Sequence, residues 1–400
     1  MMTEEEARDR VMAGIGVGPV VTVPLREAEG RWCAAEVRAG VALPGFDNSA
    51  MDGYALHRDD CGQTDRWLSV AGTIQAGQAP DPVGPPVSPG WAVRIFTGAP
   101  VPPGTAAVVM QEDVEADADG SSIRVTAAAA VGEFIRRRGA DVTPGQVLVS
   151  PGECLSPARI GVLASQGREA VAVRERPRVR VLTTGDEVVD PGLDLPHAAA
   201  LYNSNGPMLA ALAHAAGAMV TMRHVRDDLD AVTAALRESA EVADVVVVAG
   251  GVSVGRHDHV KPALAALGWA PDLWRVALKP GKPFLFASRA PGAVFGLPGN
   301  PVSAFVTFHL FVAPALRGWQ GAGVAAAAVP SAPSRLAAPV ANRSDRPHYL
   351  RGRLDEDGAF RPDGLQESHA LFSLSRATAM LRVPPGAEWP EGREVRVHPL

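Results

Sequence analysis

Several stretches of this 400-residue chain combine anion-holding groups with a backbone that lets an anion come close. In Ala249-Gly250-Gly251-Val252-Ser253-Val254-Gly255, glycines follow the apolar run Asp244 to Val248, where a buried strand would end and the chain must turn tightly. Without Cβ atoms in the way, backbone N–H groups at Gly250, Gly251, Ser253 and Gly255 can approach a phosphate, and ligands of open α/β sheets collect at the carboxyl ends of strands. The spacing is neither a Walker A loop nor the dinucleotide fingerprint, and a plain Gly-rich turn explains it equally well. Lys279-Pro280-Gly281-Lys282-Pro283 sets two ammonium groups three residues apart between prolines that stiffen the backbone, which suits an oxyanion or pyrophosphate. Leu297-Pro298-Gly299-Asn300-Pro301 and Asn203-Ser204-Asn205-Gly206-Pro207 each open a helix, whose dipole and free N–H groups would face the same rim, although capping alone accounts for both.

Acids gather at the same strand ends. Thr183-Thr184-Gly185-Asp186-Glu187 closes one strand, Asp227-Asp228 another, and Asp258 follows the glycine loop. Carboxylates at Glu187, Asp227, Asp228 and Asp258 could hold a hard cation such as Mg²⁺ beside a phosphate site. Asp227 and Asp228 also fit ordinary helix caps before Leu229. His257-Asp258-His259 resembles a zinc cluster, but alternate positions of an extended segment point apart. Ser253 has no Asp and His partners in hydrolase order. In the first half, Asp47 to Ala55, Phe96 to Pro100 and Val108 to Asp113 are polar islands in apolar surroundings, and Arg136-Arg137-Arg138 precedes Asp141; composition assigns none of them a role.

The elements that must position these groups change character along the chain. Glu4 to Ala13 reads as a short amphipathic helix, and the chain to about Gly167 reads as mostly β, with Gln78 to Pro89 and Ala116 to Gly120 as exposed loops. From Arg178 the pattern alternates strand and helix, the mark of a largely parallel sheet. Strands are expected at Arg178 to Leu182, Met219 to His224, Asp244 to Val248, Phe284 to Ser288 and Ala293 to Leu297. Helices are expected at Pro207 to Ala216, at Leu229 to Ala240 with Leu229, Val232 and Leu236 on one face, and at Pro301 to Leu316 with proline at its first position. The fold class is thus α/β multidomain: a mostly β N-terminal half, a doubly wound domain, and a small C-terminal β domain ending in alternating Val395 and Val397. Gly321 to Pro339, rich in Ala and Pro, reads as the linker before it.

Composition excludes several classes. A formal charge of −6 argues against a general nucleic-acid binder. The three cysteines, Cys33, Cys61 and Cys154, have no disulfide or zinc-knuckle spacing and fit a reducing cytosol. The acidic N-terminus lacks signal-peptide character, and Val245 to Val254 and Phe305 to Leu316 fall short of the roughly 18 apolar residues of a membrane span, so no membrane association is expected and a cytoplasmic location is.

Taken together, Asn48 to Ala55 (NSAMDGYA), Thr97 to Pro100 with Gln111-Glu112-Asp113, Arg138 to Asp141 (RGAD), Thr183 to Glu187 (TTGDE), Gly250 to Gly255 (GGVSVG), Lys279 to Pro283 (KPGKP) and Leu297 to Ser303 (LPGNPVS) resemble the molybdopterin molybdenumtransferase family, which includes the C-terminal domain of the scaffold gephyrin. The likeness spans nearly the whole chain. It implies a homodimer of four subdomains: 1–45 with 140–176, an inserted mostly β domain at 46–139, an α/β molybdopterin-binding domain at 177–320, and a C-terminal β domain at 330–400. It implies an Mg²⁺-dependent transferase that inserts molybdate into adenylylated molybdopterin with release of AMP. Carried over by motif, the catalytic positions are Asp52, Thr97, Asp141, Glu187, Lys279 and Lys282. Substrate binding falls to Arg138, Thr184, Gly185, Asn205, Gly250, Gly251, Ser253, Gly255, Pro298 and Asn300, and metal binding to Glu187, Asp227, Asp228 and Asp258. Candidate partners are a molybdopterin adenylyltransferase and cofactor-accepting molybdoenzymes. The chain departs from the family pattern at His259, where Tyr is frequent, at Glu367, where Gly is common, and at Thr378, where Asn is common. Rival readings are an adenylyltransferase or nucleotide pyrophosphatase on the third-domain fold, for which the Asn48 to Ala55 region would be superfluous, and a non-catalytic pterin-binding scaffold, against which Asp52, Glu187 and the two lysines argue.

Overall fold

The computed structural model describes residues 1–79, 83–252, 258–290 and 292–400, and the chain divides into two compact units. One comprises Met1–Ala35, Ser150–Gly161 and Arg168–Leu400; the other comprises Glu36–Val149 and Val162–Gly167.

At the centre of the larger unit is a six-stranded sheet in the order Met219–Val225, Arg178–Thr184, Val245–Ala249, Gly292–Leu297, Leu285–Arg289, Leu273–Trp274. The first four strands run parallel and the last two are antiparallel. Every residue of Val245–Ala249 is buried because both faces are covered. Val245, Val247 and Ala249 enter one apolar core while Val246 and Val248 enter the other, which is the two-residue period of a strand sandwiched between helical layers. Each valine so buried stabilises the unit by about 1.5–3 kcal/mol, so a charge in this strand would disrupt both cores.

The Leu229–Val242 helix packs through Val232, Ala235, Leu236 and Ser239, whereas Leu229, expected on that face, is 39% exposed at the first helical position; the packing stripe begins one turn later. Phe284, Phe295 and Phe311 cluster beneath the opposite face, with Phe284 stacked on Phe311 at a centroid distance of 4.5 Å. The Pro301–Trp319 helix has the length and composition to cross a membrane, but 78% of that window is buried within the protein, as befits a core helix.

This helix contains a π turn at Phe308–Val312. His309, within it, stacks on Phe305 and has its Nε2 buried without a partner among the described residues. Burial, and then the nearby His398 and Arg317, push the imidazole down to about 4 from 6.5. The unfolded chain accepts this proton readily and the folded chain resists it, so the stabilisation is complete above about pH 6.5 and is lost as pH falls towards 4. The native chain should therefore lose more thermal stability between about pH 7.5 and pH 5 than His309→Phe does; parallel losses would refute the assignment.

The C-terminal sheet, in the order Ala332–Arg335, Glu394–Pro399, Ala379–Val383, His348–Leu354, Phe360–Pro362, is antiparallel throughout. Its first strand lies inside the stretch expected as linker: Ala332 to Arg335 pair with Glu394 to Val397, and backbone pairing gives the Ala/Pro-rich segment an ordered place that its composition did not suggest. The N-terminal helix is clamped to this sheet by the buried Glu4, which accepts from the Tyr349 hydroxyl at 2.8 Å and Arg382 Nε at 2.9 Å and also pairs with Arg8.

The smaller unit holds a mixed six-stranded sheet in the order Thr105–Met110, Gly53–His57, Trp91–Ile95, Trp67–Ile74, Ser122–Val125, Val114–Ala116, with an apolar cluster on each face. The expected exposed loop at 78–89 is not wholly exposed: Val83 and Val87 are buried against Ile74 and Ile95, because these two apolar side chains close one face of the sheet.

Candidate active site

Four parallel strands deliver their carboxyl ends to one rim of the larger unit, and a crevice of about 690 Å³ opens there. Thr183, Thr184, Glu187, Asp227, Gly250, Gly251, Pro298 and Asn300 line it. Gly250 and Gly251 turn through φ of +100° and +63°. A Cβ on Gly250 would lie 2.8 Å from Thr184 Oγ1 and 2.9 Å from the Thr184 carbonyl, so only glycine lets the two strand ends approach. Its N–H, expected to face an anion, is donated to Leu297 O at 3.1 Å. Parallel-sheet pairing takes up that donor first, and Gly250 contributes room rather than a hydrogen bond. Ser253 and Gly255, expected in the same cradle, lie outside the described residues, as does His257.

Two helices begin on this rim. Asn205–Ala215 starts with Ser204 and Pro301–Thr307 with Asn300, and neither cap's side chain bonds the first turn of its own helix. Asn205 Nδ2 donates to Gly299 O at 2.6 Å and Asn300 Nδ2 to Ser368 Oγ at 3.0 Å, so these side chains tie the helix starts to neighbouring loops. The partial positive charge of both helix starts remains directed at the crevice.

The predicted carboxylates separate into distinct roles. Asp228 Oδ1 accepts from Ala231 N at 2.9 Å and caps the Leu229–Val242 helix. Asp227 lines the crevice; burial raises its carboxyl above the ordinary value, and the nearby Glu187 and Asp186 carboxylates raise it further. Burial likewise pushes Asp258 up to about 6, and its Oδ1 has no partner among the described residues. Among those residues no group of three or more His, Cys, Asp or Glu side chains is arranged to hold a metal ion, so the four acids do not form a closed cage. Mg²⁺ needs only one or two carboxylates when substrate phosphates and water complete its shell, and Asp227 with Glu187 offers two hard oxygen donors whose mutual repulsion a cation would relieve.

Lys279 stands elsewhere, although Pro283 of the same motif lines the crevice. Lys279 lines a second hollow of about 440 Å³ together with Ala341, Asn342, Arg343, Ser344 and His348. Backbone bonds from Lys279 N to Pro347 O and from Tyr349 N to Lys279 O, 2.9 and 2.8 Å, fix it against the C-terminal sheet. Lys282 is exposed and near enough to Asp345 to help hold that carboxyl below its ordinary value, after the larger effect of Arg346. His348, in the same hollow, is pushed down to about 4 by burial and then by the Lys279 and Arg351 cations, so it stays neutral at pH 7.

In the smaller unit, Asp52 Oδ1 accepts from both Thr97 N (2.7 Å) and Thr97 Oγ1 (2.8 Å), and these bonds lower its carboxyl below the ordinary value. Gly53 next to it meets the neighbouring strand so closely that a Cβ would sit 1.9 Å from Val109 O. Arg138 N and Arg137 Nη1 both bind the Asp47 carboxylate, at 2.8 and 2.6 Å, and Asp141 follows with an exposed side chain.

Residues 2–167 match the MoeA N-terminal region (domain I and II), 180–318 a probable molybdopterin binding domain, and 333–400 the MoeA C-terminal region (domain IV). The chain is 36% identical over 375 residues to molybdopterin molybdenumtransferase 2 of Mycobacterium tuberculosis, covering 91% of each chain. It belongs to the molybdopterin molybdenumtransferase family. The Haemophilus influenzae molybdopterin molybdenumtransferase is 38% identical over 324 residues, 80% of this chain and 78% of that one. A crystal structure of the molybdopterin biosynthesis moeA protein from Pyrococcus horikoshii OT3 superposes with a TM-score of 0.85 at 27% identity, covering all of both chains.

As in any family member read from motifs, residues outside them were missed. Leu201, Tyr202, His369 and Leu371 also line the crevice. Leu201 and Tyr202 precede a recognised turn, and their exposure, 61% and 52%, has no signal in an apolar dipeptide. Ser368 and His369 arrive from the C-terminal domain, which no local pattern could place here.

The division between Asp227 and Asp228 is testable. Asp228→Ala should cost about 1 kcal/mol of stability and leave Mg²⁺-dependent pyrophosphate binding unchanged. Asp227→Asn should keep the stability and lose the binding. Calorimetry and denaturant unfolding on both variants check this, and the reverse pattern would reassign the two acids.

Proposed function

We propose that this chain inserts molybdenum from molybdate into adenylylated molybdopterin, releasing AMP, and that it works as a cytoplasmic homodimer. The observation that carries the reading is the crevice itself, where two helix starts, a close-approach glycine turn and the paired acids Asp227 and Glu187 share one rim. A pterin joined to a nucleotide through pyrophosphate presents the extended anion such a rim would hold. Family membership and the names of the relatives support the same substrate class.

This reading gives the named residues distinct tasks. Thr184, Gly251, Pro298 and Asn300 line the crevice and would border the pyrophosphate, with Gly185 following Thr184 in the chain and Asn205 holding the loop at Gly299 in place. Glu187 and Asp227 would hold Mg²⁺, with Asp258, which follows the glycine turn in the chain, as a further acid, and the cation would offset the charge of the anhydride as it breaks. Lys279, with Arg343 and Ser344, offers a separate cationic hollow for molybdate. The Asp52–Thr97 pair, kept ionised by its hydrogen bonds, orients an oxyanion or water rather than forming a covalent bond, and Arg138 and Asp141 would assist it. Water would add to phosphorus as the P–O–P bond breaks and AMP leaves, and the two dithiolene sulfurs would bond to molybdenum in place of a molybdate oxygen, which departs with their protons as water.

Reconstitution tests the reading. The purified chain, given adenylylated molybdopterin, Mg²⁺ and molybdate, should yield a product that activates a molybdenum-free molybdoenzyme. A chain that binds the pterin yet never activates the acceptor would favour the scaffold reading.

A further inference from the structure

The Arg178–Thr184 strand is followed by a turn that carries Glu187, and the chain then leaves on an excursion, residues 188–202, before returning at Asn203. The neck of this excursion is narrow. Val188 pairs with Leu201 and Val189 with Tyr202, Leu201 N donates to Glu187 O at 2.8 Å, and Asn203 N donates to Val189 O at 2.8 Å. Inside the neck the Asn203 amide is 6% exposed and committed at both ends. Its Nδ2 donates to Thr183 Oγ1 and to Asp190 Oδ1, both at 2.9 Å, and its Oδ1 accepts from Gly206 N at 2.9 Å.

The amide's bonds have a fixed direction. Asp190 can only accept when ionised, so the amide must present its nitrogen there and its oxygen to Gly206 N. Thr183 Oγ1 accepts from Asn203 and also lies 3.1 Å from His224 Nδ1, a bond whose direction follows the imidazole tautomer. One buried side chain thus joins the strand end carrying Thr183 and Thr184, the segment continuing from Glu187, and the helix starting at Asn205.

We propose that Asn203 is the positioning residue of this crevice, holding Glu187 and Thr184 in register through its bonds to Asp190 and Thr183. The inference rests on Glu187 serving Mg²⁺ and pyrophosphate as set out above. Asn203 acts through its neighbours and takes no chemical part in the reaction.

A simple helix-capping role predicts something different, and one substitution separates the two. Asn203→Asp keeps the acceptor for Gly206 N but loses both donors and opposes two carboxylates at the neck. Capping alone leaves this variant intact; positioning does not. Exchanging the polarity, Asp190→Asn with Asn203→Asp, restores a donor and an acceptor in the opposite sense and returns the native net charge, while His224 can carry its proton on Nδ1 to serve Thr183. Asn203→Leu removes the bonds without adding charge.

The test is calorimetric binding of inorganic pyrophosphate with Mg²⁺ to the full chain. Measured at a temperature below every variant's thermal midpoint, Asn203→Asp and Asn203→Leu should bind about 10- to 100-fold more weakly. The exchanged double variant should return to within about threefold of the native chain. If Asn203→Asp binds as the native chain does, or the double variant stays as weak as the single one, the positioning role is overturned. Should Asn203→Leu fail to fold, the aspartate pair still decides. If the native chain itself binds no pyrophosphate with Mg²⁺, the reading of the crevice fails first and the inference goes with it.

Discussion

Alanine in place of Gly250 is expected to lower turnover by about 100-fold and to cost about 2–4 kcal/mol of stability. The added Cβ would meet Thr184 Oγ1 at 2.8 Å and Thr184 O at 2.9 Å, on a residue whose φ of +100° already excludes an L side chain. Relief requires the two strand ends to part, which shifts Thr184 and the crevice floor. Gly299→Ala is the control, since its Cβ would meet only Gly250 Cα at 3.8 Å, and it should unfold within about 1 kcal/mol of the native chain. Denaturant midpoints and steady-state rates on both variants measure the contrast. Equal stability of the two would mean that the turn at Gly250 has slack the structure does not show.

Lys279→Ala is expected to raise the molybdate concentration for half-maximal rate by about 100-fold while leaving the half-saturating concentration of adenylylated molybdopterin nearly unchanged. Lys279 lines the hollow with Arg343 and Ser344 and is absent from the lining of the glycine crevice, so the two ligands should respond separately. Lys282→Ala should do less, because Lys282 is exposed and its charge is shared with Asp345. Steady-state titration of each substrate resolves the two terms. A rate loss in Lys279→Ala with molybdate dependence untouched would remove the clamp.

Much of this was legible in local pattern. An unbroken run of valines, Val245 to Val248, can only be a strand covered on both faces, and the glycines after it can only be a turn. Leu297 to Pro301 announced a strand end and a helix start, and both are present. Long-range competition was not legible. The Gly250 N–H was available on paper, but the neighbouring strand end at Leu297 claims it. Asp227 and Asp228 are chemically equal in the sequence, and only the helix phase makes one a cap and sends the other to the crevice. Lys279 and Lys282 looked like a single clamp on the phosphate rim, whereas Lys279 faces a segment more than sixty residues later in the chain, at Asn342 to Ser344. The loop at 78–89 reads as polar punctuation, yet Val83 and Val87 find an uncovered sheet face, and burial outweighs the turn composition around them.

The measurement that bears most directly on the central claim is AMP release from adenylylated molybdopterin by the purified chain with Mg²⁺, with and without molybdate, repeated on Glu187→Gln. Release that depends on molybdate and is lost in the variant is the predicted result. Release of AMP at the same rate without molybdate would make the chain a pyrophosphatase, and no release under any oxyanion, with the pterin bound, would contradict the transferase reading outright.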